Sequence, residues 1–245
     1  TTYNPTAVAD LQKMVPSFDW KAYLDAIGAS SVDTIDVSQV AYTKSLETVF
    51  SSGDVEAWKS YLRWSLVNSA ANRLTQEMDK ADWEFYSKEL RGAKEQEPLE
   101  KRALQTVNWS VGEALGKLYV DEKFPPEAKA QAKEMIANVI KAYEVRINAL
   151  PWMDAETKKK AVEKLEKTTI KVGYPDEWKD YSSLAIKTAA DGGSYFQNSL
   201  NVSQWDFAET IDKLGKPVDK SEWYMSPQTV NAYYNPSYNE IVFPA

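Results

Sequence analysis

The sequence predicts a mainly α fold, a large helical body closing in a small C-terminal β-hairpin. Three observations lead there. Long stretches repeat apolar residues at three- and four-residue steps, the spacing that lines one face of a helix. Alternating, β-branched runs are confined to residues 168–172 and to the stretch after residue 230. Glycine is scarce, 9 among 245 residues, so few positions invite a break within the periodic runs.

In chain order, short helices are expected from Pro5 to Met14 and from Val37 to Phe50. Asp54 can cap a helix through Ala57, Trp58, Tyr61, Leu62 and Ser65, and another helix spans about Glu77 to Leu90. Leu99 to Val120 places Leu104, Val107, Val111, Leu115 and Leu118 on one stripe. Pro125 and Pro126 suit the start of a helix reaching Leu150, with Ala132, Met135, Ile136, Val139, Ile140, Tyr143 and Ile147 on its apolar face. Asp154 can cap a short helix around Ala161, Val162 and Leu165. Thr168 to Val172 then alternates as a strand, and Gly173-Tyr174-Pro175-Asp176 ends it. A further helix lies between Gly193 and Leu214. Val230 to Tyr234 and Glu240 to Phe243 flank a turn-rich connection and form the hairpin. The organisation expected is a helical domain over residues 1–215 and a strand pair over residues 216–245.

Composition narrows the function classes. The net charge is −7 and the charges are interspersed, so no basic footprint for nucleic acid or an anionic membrane exists. No apolar run approaches the roughly 20 residues of a membrane span. The chain starts at Thr1-Thr2-Tyr3 without Met or a signal peptide, which suggests a processed, cut or engineered N-terminus. It stops on the apolar run Ile241-Val242-Phe243, where a strand partner is expected, so a remaining portion should lie elsewhere. The compartment stays open. Zero Cys removes disulfides and thiolate metal sites, and zero His removes the commonest metal ligand and general base. A zinc site of Asp and Glu alone would be unusual, so no catalytic residue and no metal ligand is assigned in this chain.

Other candidates have plain structural readings. Asn108-Trp109-Ser110 and Asn201-Val202-Ser203 match the glycosylation sequon but fall in predicted helices, and are read as coincidence. The acidic residues on amphipathic helices are solvated faces. Trp58, Trp64, Trp83, Trp109, Trp152 and Trp178 lie in or beside helices and are read as core packing. Lys158-Lys159-Lys160 is surface.

Several strings, in order, resemble one known family. They are Phe18-Asp19-Trp20 with Tyr23-Leu24, Leu115-Gly116-Lys117-Leu118-Tyr119-Val120 with Phe124-Pro125, and Trp152-Met153-Asp154 with Thr157-Lys158, Ala161 and Lys164-Leu165. Gly173-Tyr174-Pro175 with Trp178 follows, and then Val230-Asn231-Ala232-Tyr233-Tyr234-Asn235-Pro236 leading to Ile241-Val242-Phe243-Pro244-Ala245. This set is similar to the neprilysin/endothelin-converting-enzyme family of zinc metalloendopeptidases, over nearly the whole chain.

The resemblance implies a central segment that lacks an N-terminal part and the zinc-binding HExxH part. It implies that the helical domain caps an active-site cavity and that the hairpin belongs to a zincin-type catalytic domain. One catalytic zinc, its ligands outside this chain, would activate water for hydrolysis of small to medium peptides. Asn231, Ala232 and Tyr233 would bind substrate: the Ala232 carbonyl and the Asn231 carboxamide pairing with the peptide backbone, and Tyr233 lining the pocket before the scissile bond. Absent cysteines point to a bacterial member, since vertebrate members are disulfide-bonded ectodomains. The implied partners are peptide substrates and the remaining catalytic portion, as a second chain or missing segment. Two alternatives stay open, a non-catalytic peptide-binding or regulatory helical module and one chain of a split protease.

Overall fold

Side-chain caps fix where many of the helices begin. The computed structural model describes residues 2–245. Its elements open with β1 (Pro5–Ala7), α1 (Val8–Met14), α2 (Trp20–Ala26), β2 (Thr34–Asp36), α3 (Val40–Phe50), α4 (Val55–Ala70) and α5 (Gln76–Asp82). Then come α6 (Leu99–Lys123), α7 (Pro126–Ala149), α8 (Ala155–Glu166), β3 (Thr169–Gly173), α9 (Tyr195–Asp212), β4 (Tyr233–Asn235) and β5 (Glu240–Pro244). The carboxylates of Asp19, Asp54 and Asp154 accept from the amides of Ala22, Ala57 and Thr157 at 2.9, 2.9 and 2.8 Å, satisfying donors that a helix start leaves bare. The caps expected at Asp54 and Asp154 are therefore in place.

The chain forms two compact units. One comprises Thr1–Gln96 and Leu184–Pro217. Here β1 and β2 pair antiparallel, Thr6 opposite Ile35. Residues 5–7 are thus a strand, and only Val8–Met14 of the expected first helix is helical. The helix expected from Val37 starts at Val40, because Val37 is tied to Asn4: its amide donates to the Asn4 carbonyl and its carbonyl accepts from Asn4 Nδ2. Leu11, Val15, Leu24, Ala29 and Val37 form the buried core. After α5 the helix widens to a π-helix over Trp83–Glu89, where the Leu90 amide reaches the Phe85 carbonyl five residues back.

The second unit comprises Glu97–Ser183 and Val218–Ala245. Its sheet has the order β3-β5-β4. The central strand β5 runs parallel to β3, with Thr169 opposite Glu240, and antiparallel to β4, with Tyr233 opposite Val242. Val172 and Val242 are buried, and β3 packs against α7.

The strings that carried the family resemblance are mostly packing devices. Phe18 stacks on Phe50 at 5.0 Å between centroids, and Phe50 on Trp58 at 5.4 Å. A Cβ on Gly173 would fall 2.7 Å from the Phe124 ring. Tyr174 stacks on Trp178 at 5.8 Å, and Lys129 Nζ sits 3.8 Å from the Tyr174 centroid.

The packed faces of the helices differ from expectation. On α6 the buried residues are Gly112, Gly116 and Val120, while Leu104, Val107 and Leu118 of the predicted stripe are exposed. The cause is a close approach of residues 226–228 to the α6 backbone, which side chains larger than glycine would block. On α7 Ile136 is buried, but Met135, Val139 and Tyr143 are exposed. The core reading fails for Trp64, Trp109 and Trp152, which are exposed, Trp109 to 89%. Trp58, Trp83 and Trp178 are half-buried.

Candidate functional site

The hairpin that ends the chain is built around two asparagines. Asn235 Oδ1 accepts from the Ser237 amide at 3.1 Å, closing an Asx turn. Asn239 adopts φ 51°, a left-handed conformation that asparagine tolerates. Its carboxamide donates to the Lys164 carbonyl at 2.9 Å and accepts from the Tyr234 hydroxyl at 3.0 Å, tying the turn to α8. The strand β4 that emerges lies at the sheet edge, with β5 on its one paired side.

The sequence-predicted residues fall at the start of this edge. Tyr233 is the first residue of β4, and Asn231 and Ala232 stand exposed just ahead of it. The strand expected from Val230 begins later because local bonds compete for the backbone. The Asn231 amide donates to the Thr229 carbonyl at 2.9 Å, and Asn231 Oδ1 accepts from the Ala232 amide at 2.8 Å.

Tyr233 is half-buried and its hydroxyl accepts from the Tyr224 amide at 3.0 Å. Burial pushes its phenol up, against the lowering effect of that amide. Tyr224 donates to the Tyr238 hydroxyl at 3.1 Å, and this bond, with burial and nearby negative charge, pushes Tyr224 up to about 12. Both tyrosines are neutral at ordinary pH. They supply hydrogen bonds and aromatic surface.

Under the same sheet face lies an ion pair that no motif announced. Glu240 is completely buried, and its Oε2 meets Lys171 Nζ at 2.7 Å. Lys171 also donates to the Glu222 carbonyl at 2.7 Å. A buried, paired carboxylate of this kind is structural. Among the described residues no cluster of three or more His, Cys, Asp or Glu can hold a metal ion, and the sequence has neither His nor Cys. The donor set does not fit zinc.

Sequence reasoning also missed the seat of this segment on α6. Gln228 Nε2 donates to the Gly112 carbonyl at 2.9 Å and to Asn108 Oδ1, and Pro227 is buried against Gly116. The available signal was two glycines one helical turn apart inside a helix, where glycine is unfavourable unless a neighbour needs the space. Asn108 and Asn201 have engaged carboxamides within helices, Asn201 Nδ2 donating to the Ala185 carbonyl.

What the arrangement offers chemically is a strand at the edge of its sheet, led in by an exposed asparagine carboxamide. The chain as a whole is similar to known proteins. Residues 1–175 match the sequence model of Peptidase family M13. Endothelin-converting enzyme 1 of Rattus norvegicus is 30% identical over 250 residues, which cover 99% of this chain and 33% of that protein. Neutral endopeptidase of Lactobacillus helveticus is 31% identical over 244 residues, covering 99% and 37%. The crystal structure of zinc metalloprotease Zmp1 of Mycobacterium tuberculosis with an inhibitor superposes with a TM-score of 0.87 at 38% identity, covering 99% of this chain and 36% of that one. The chain spans about a third of the length of these relatives. The resemblance read from the motifs thus holds along the whole chain, which belongs to peptidase family M13.

Proposed function

We propose that this chain is a segment of a zinc-dependent endopeptidase that hydrolyses small to medium peptides. Residues 1–215 supply the helical domain that encloses the cavity, and residues 216–245 supply the substrate-binding strand, with β3 as the piece of the helical portion that joins its sheet. The observation that carries this reading is the place of β4 at the sheet edge, with Asn231 and Ala232 exposed at its start. A peptide laid antiparallel there gains main-chain hydrogen bonds worth about 1 kcal/mol net each, whatever its side chains. The Ala232 carbonyl accepts from the peptide. The Asn231 carboxamide exchanges its bond to the Ala232 amide for one acceptor and one donor on the backbone beyond the scissile bond. Tyr233, held by the Tyr224 amide, lines the pocket before that bond.

The zinc ligands and the general base lie in polypeptide outside this chain, since the chain has no His and no Cys. That polypeptide, as a second chain or a further segment, is also the partner that the exposed apolar faces of α6 and α7 fit. None of the described helices is long and apolar enough to cross a membrane.

Asn231→Ala in the complete enzyme tests the reading. A fall of roughly tenfold in kcat/KM is expected, the equivalent of about 1.4 kcal/mol. Unchanged peptide turnover would overturn the role of Asn231. The isolated chain, assayed alone, should be inert towards peptides. Zinc-dependent cleavage by it alone would overturn the placement of the ligands.

A further inference from the structure

The stretch that leads to Asn231 at the sheet edge is seated on α6 through a half-buried polar contact. Gly112 and Gly116 lie one turn apart on the same face of α6 and are both buried. A Cβ on Gly116 would come within 2.5 Å of Pro227 Cδ and 2.7 Å of Gln228 Oε1, and one on Gly112 would strike Ser226 Oγ. The helix gives way between Asn108 and Gly112, at Val111, with φ −135° and ψ 42°. On this seat Gln228 Nε2 bridges two acceptors, Asn108 Oδ1 at 2.5 Å and the Gly112 carbonyl at 2.9 Å. Two successive turns then lead to the candidate site. The Thr229 amide donates to the Ser226 carbonyl at 3.0 Å, and the Asn231 amide donates to the Thr229 carbonyl at 2.9 Å. No free stretch separates the Gln228 contact from Asn231.

We propose that Gln228, through Asn108 and Gly112, is a positioning residue that fixes where Asn231 and Ala232 meet a peptide backbone. This inference rests on the edge-strand reading given above. The physical content is polarity. A carboxamide nitrogen between two acceptors holds the segment in one register, while a group without a donor there leaves both acceptors bare and repels them if charged. Displacement of a binding group by about 1 Å can lower turnover on the order of 10²-fold, so a loose seat should register in catalysis.

The test uses the complete peptidase, with rates expressed per folded enzyme from circular dichroism. Gln228→Glu, which removes the donor, and Asn108→Leu, which removes one acceptor, are expected to lower kcat/KM for an extended peptide by about tenfold or more. Asn108→Asp keeps the acceptor and should stay within about twofold of wild type. A substrate too short to pair along the strand should lose less in both damaging variants, a difference that a general loss of folded enzyme cannot produce. If Gln228→Glu does not fold, the Asn108→Leu and Asn108→Asp pair decides. Equal rates for Asn108→Leu and wild type, or an equal fall in Asn108→Asp, would overturn the positioning role. Asn231→Ala, run alongside, separates the two ideas. If it is silent the edge-strand reading falls, and if it alone lowers turnover only the role of Gln228 falls.

Discussion

Lys171 Nζ lies 2.7 Å from Glu240 Oε2, joining neighbouring parallel strands across a sheet face where Glu240 has no exposed surface. The Lys171 side chain is only 9% exposed, and Glu240 Oε1 has no partner among the described residues. The attraction therefore works against a large desolvation cost with one oxygen unsatisfied, and the pair need not be a net gain over apolar residues.

That balance gives the first prediction. Glu240→Gln leaves the Lys171 ammonium buried without its counter-charge, and Lys171→Met does the same to the carboxylate. Each is expected to destabilise by about 3–5 kcal/mol, whereas Lys171→Met with Glu240→Leu should lie near wild type. Urea unfolding of the four proteins forms the double-mutant cycle. If the double variant loses as much as the two singles added together, the two side chains are not coupled and their proximity has no energetic meaning.

Asp154 supplies a pH-dependent cap. Its Oδ1 accepts from the Thr157 amide and its Oδ2 from the Thr157 hydroxyl, and the amide bond chiefly holds this carboxyl below the ordinary range. A carboxyl whose folded pKa is depressed contributes stability that is fully present above its unfolded value, near 3.9, and is lost as pH falls through the lower folded value. Asn at this position keeps an acceptor but cannot titrate. The wild type should therefore melt higher than Asp154→Asn at pH 6, and the gap should close as pH falls below the ordinary carboxylate range. Melting curves of both at several pH values check this. A gap that ignores pH would mean the charge of Asp154 adds nothing to the cap.

These two cases show where the sequence was legible. Asp154 and Asp54 announce their helices because a cap is a local device, an acceptor placed a few residues before an apolar run. The Lys171–Glu240 contact joins strands far apart in the chain, and nothing local marks it. The ribbon of β1 and β2 escaped because its three-residue strands are too short to show alternation. The α6 stripe misled for another reason. Its apolar residues were real, but the described residues that pack on α6 come to its glycines instead. At the candidate site, Asn231, Ala232 and Tyr233 were legible through resemblance alone. The contacts of Tyr224 with Tyr233, of Gln228 with α6 and of Glu240 with Lys171 became visible only with the fold.

Gly173 ends β3 at φ 80°, and a Cβ there would stand 2.7 Å from Phe124 Cε1, so two separate costs oppose Gly173→Ala. The left-handed backbone alone costs about 1–2 kcal/mol for a residue with a Cβ. Crowding in a packed site adds about 1–3 kcal/mol. Gly53 isolates the first cost, since it has φ 68° but nothing within 4 Å of a built Cβ. Gly53→Ala should therefore cost only about 1–2 kcal/mol, and Gly173→Ala clearly more. In a Phe124→Ala background, where the ring is gone, the added loss from Gly173→Ala should shrink towards the Gly53→Ala value. Urea unfolding of these variants separates the contributions. Equal losses at the two glycines would mean that the Phe124 ring yields freely, and that Gly173 is needed for its backbone and not for the room it leaves.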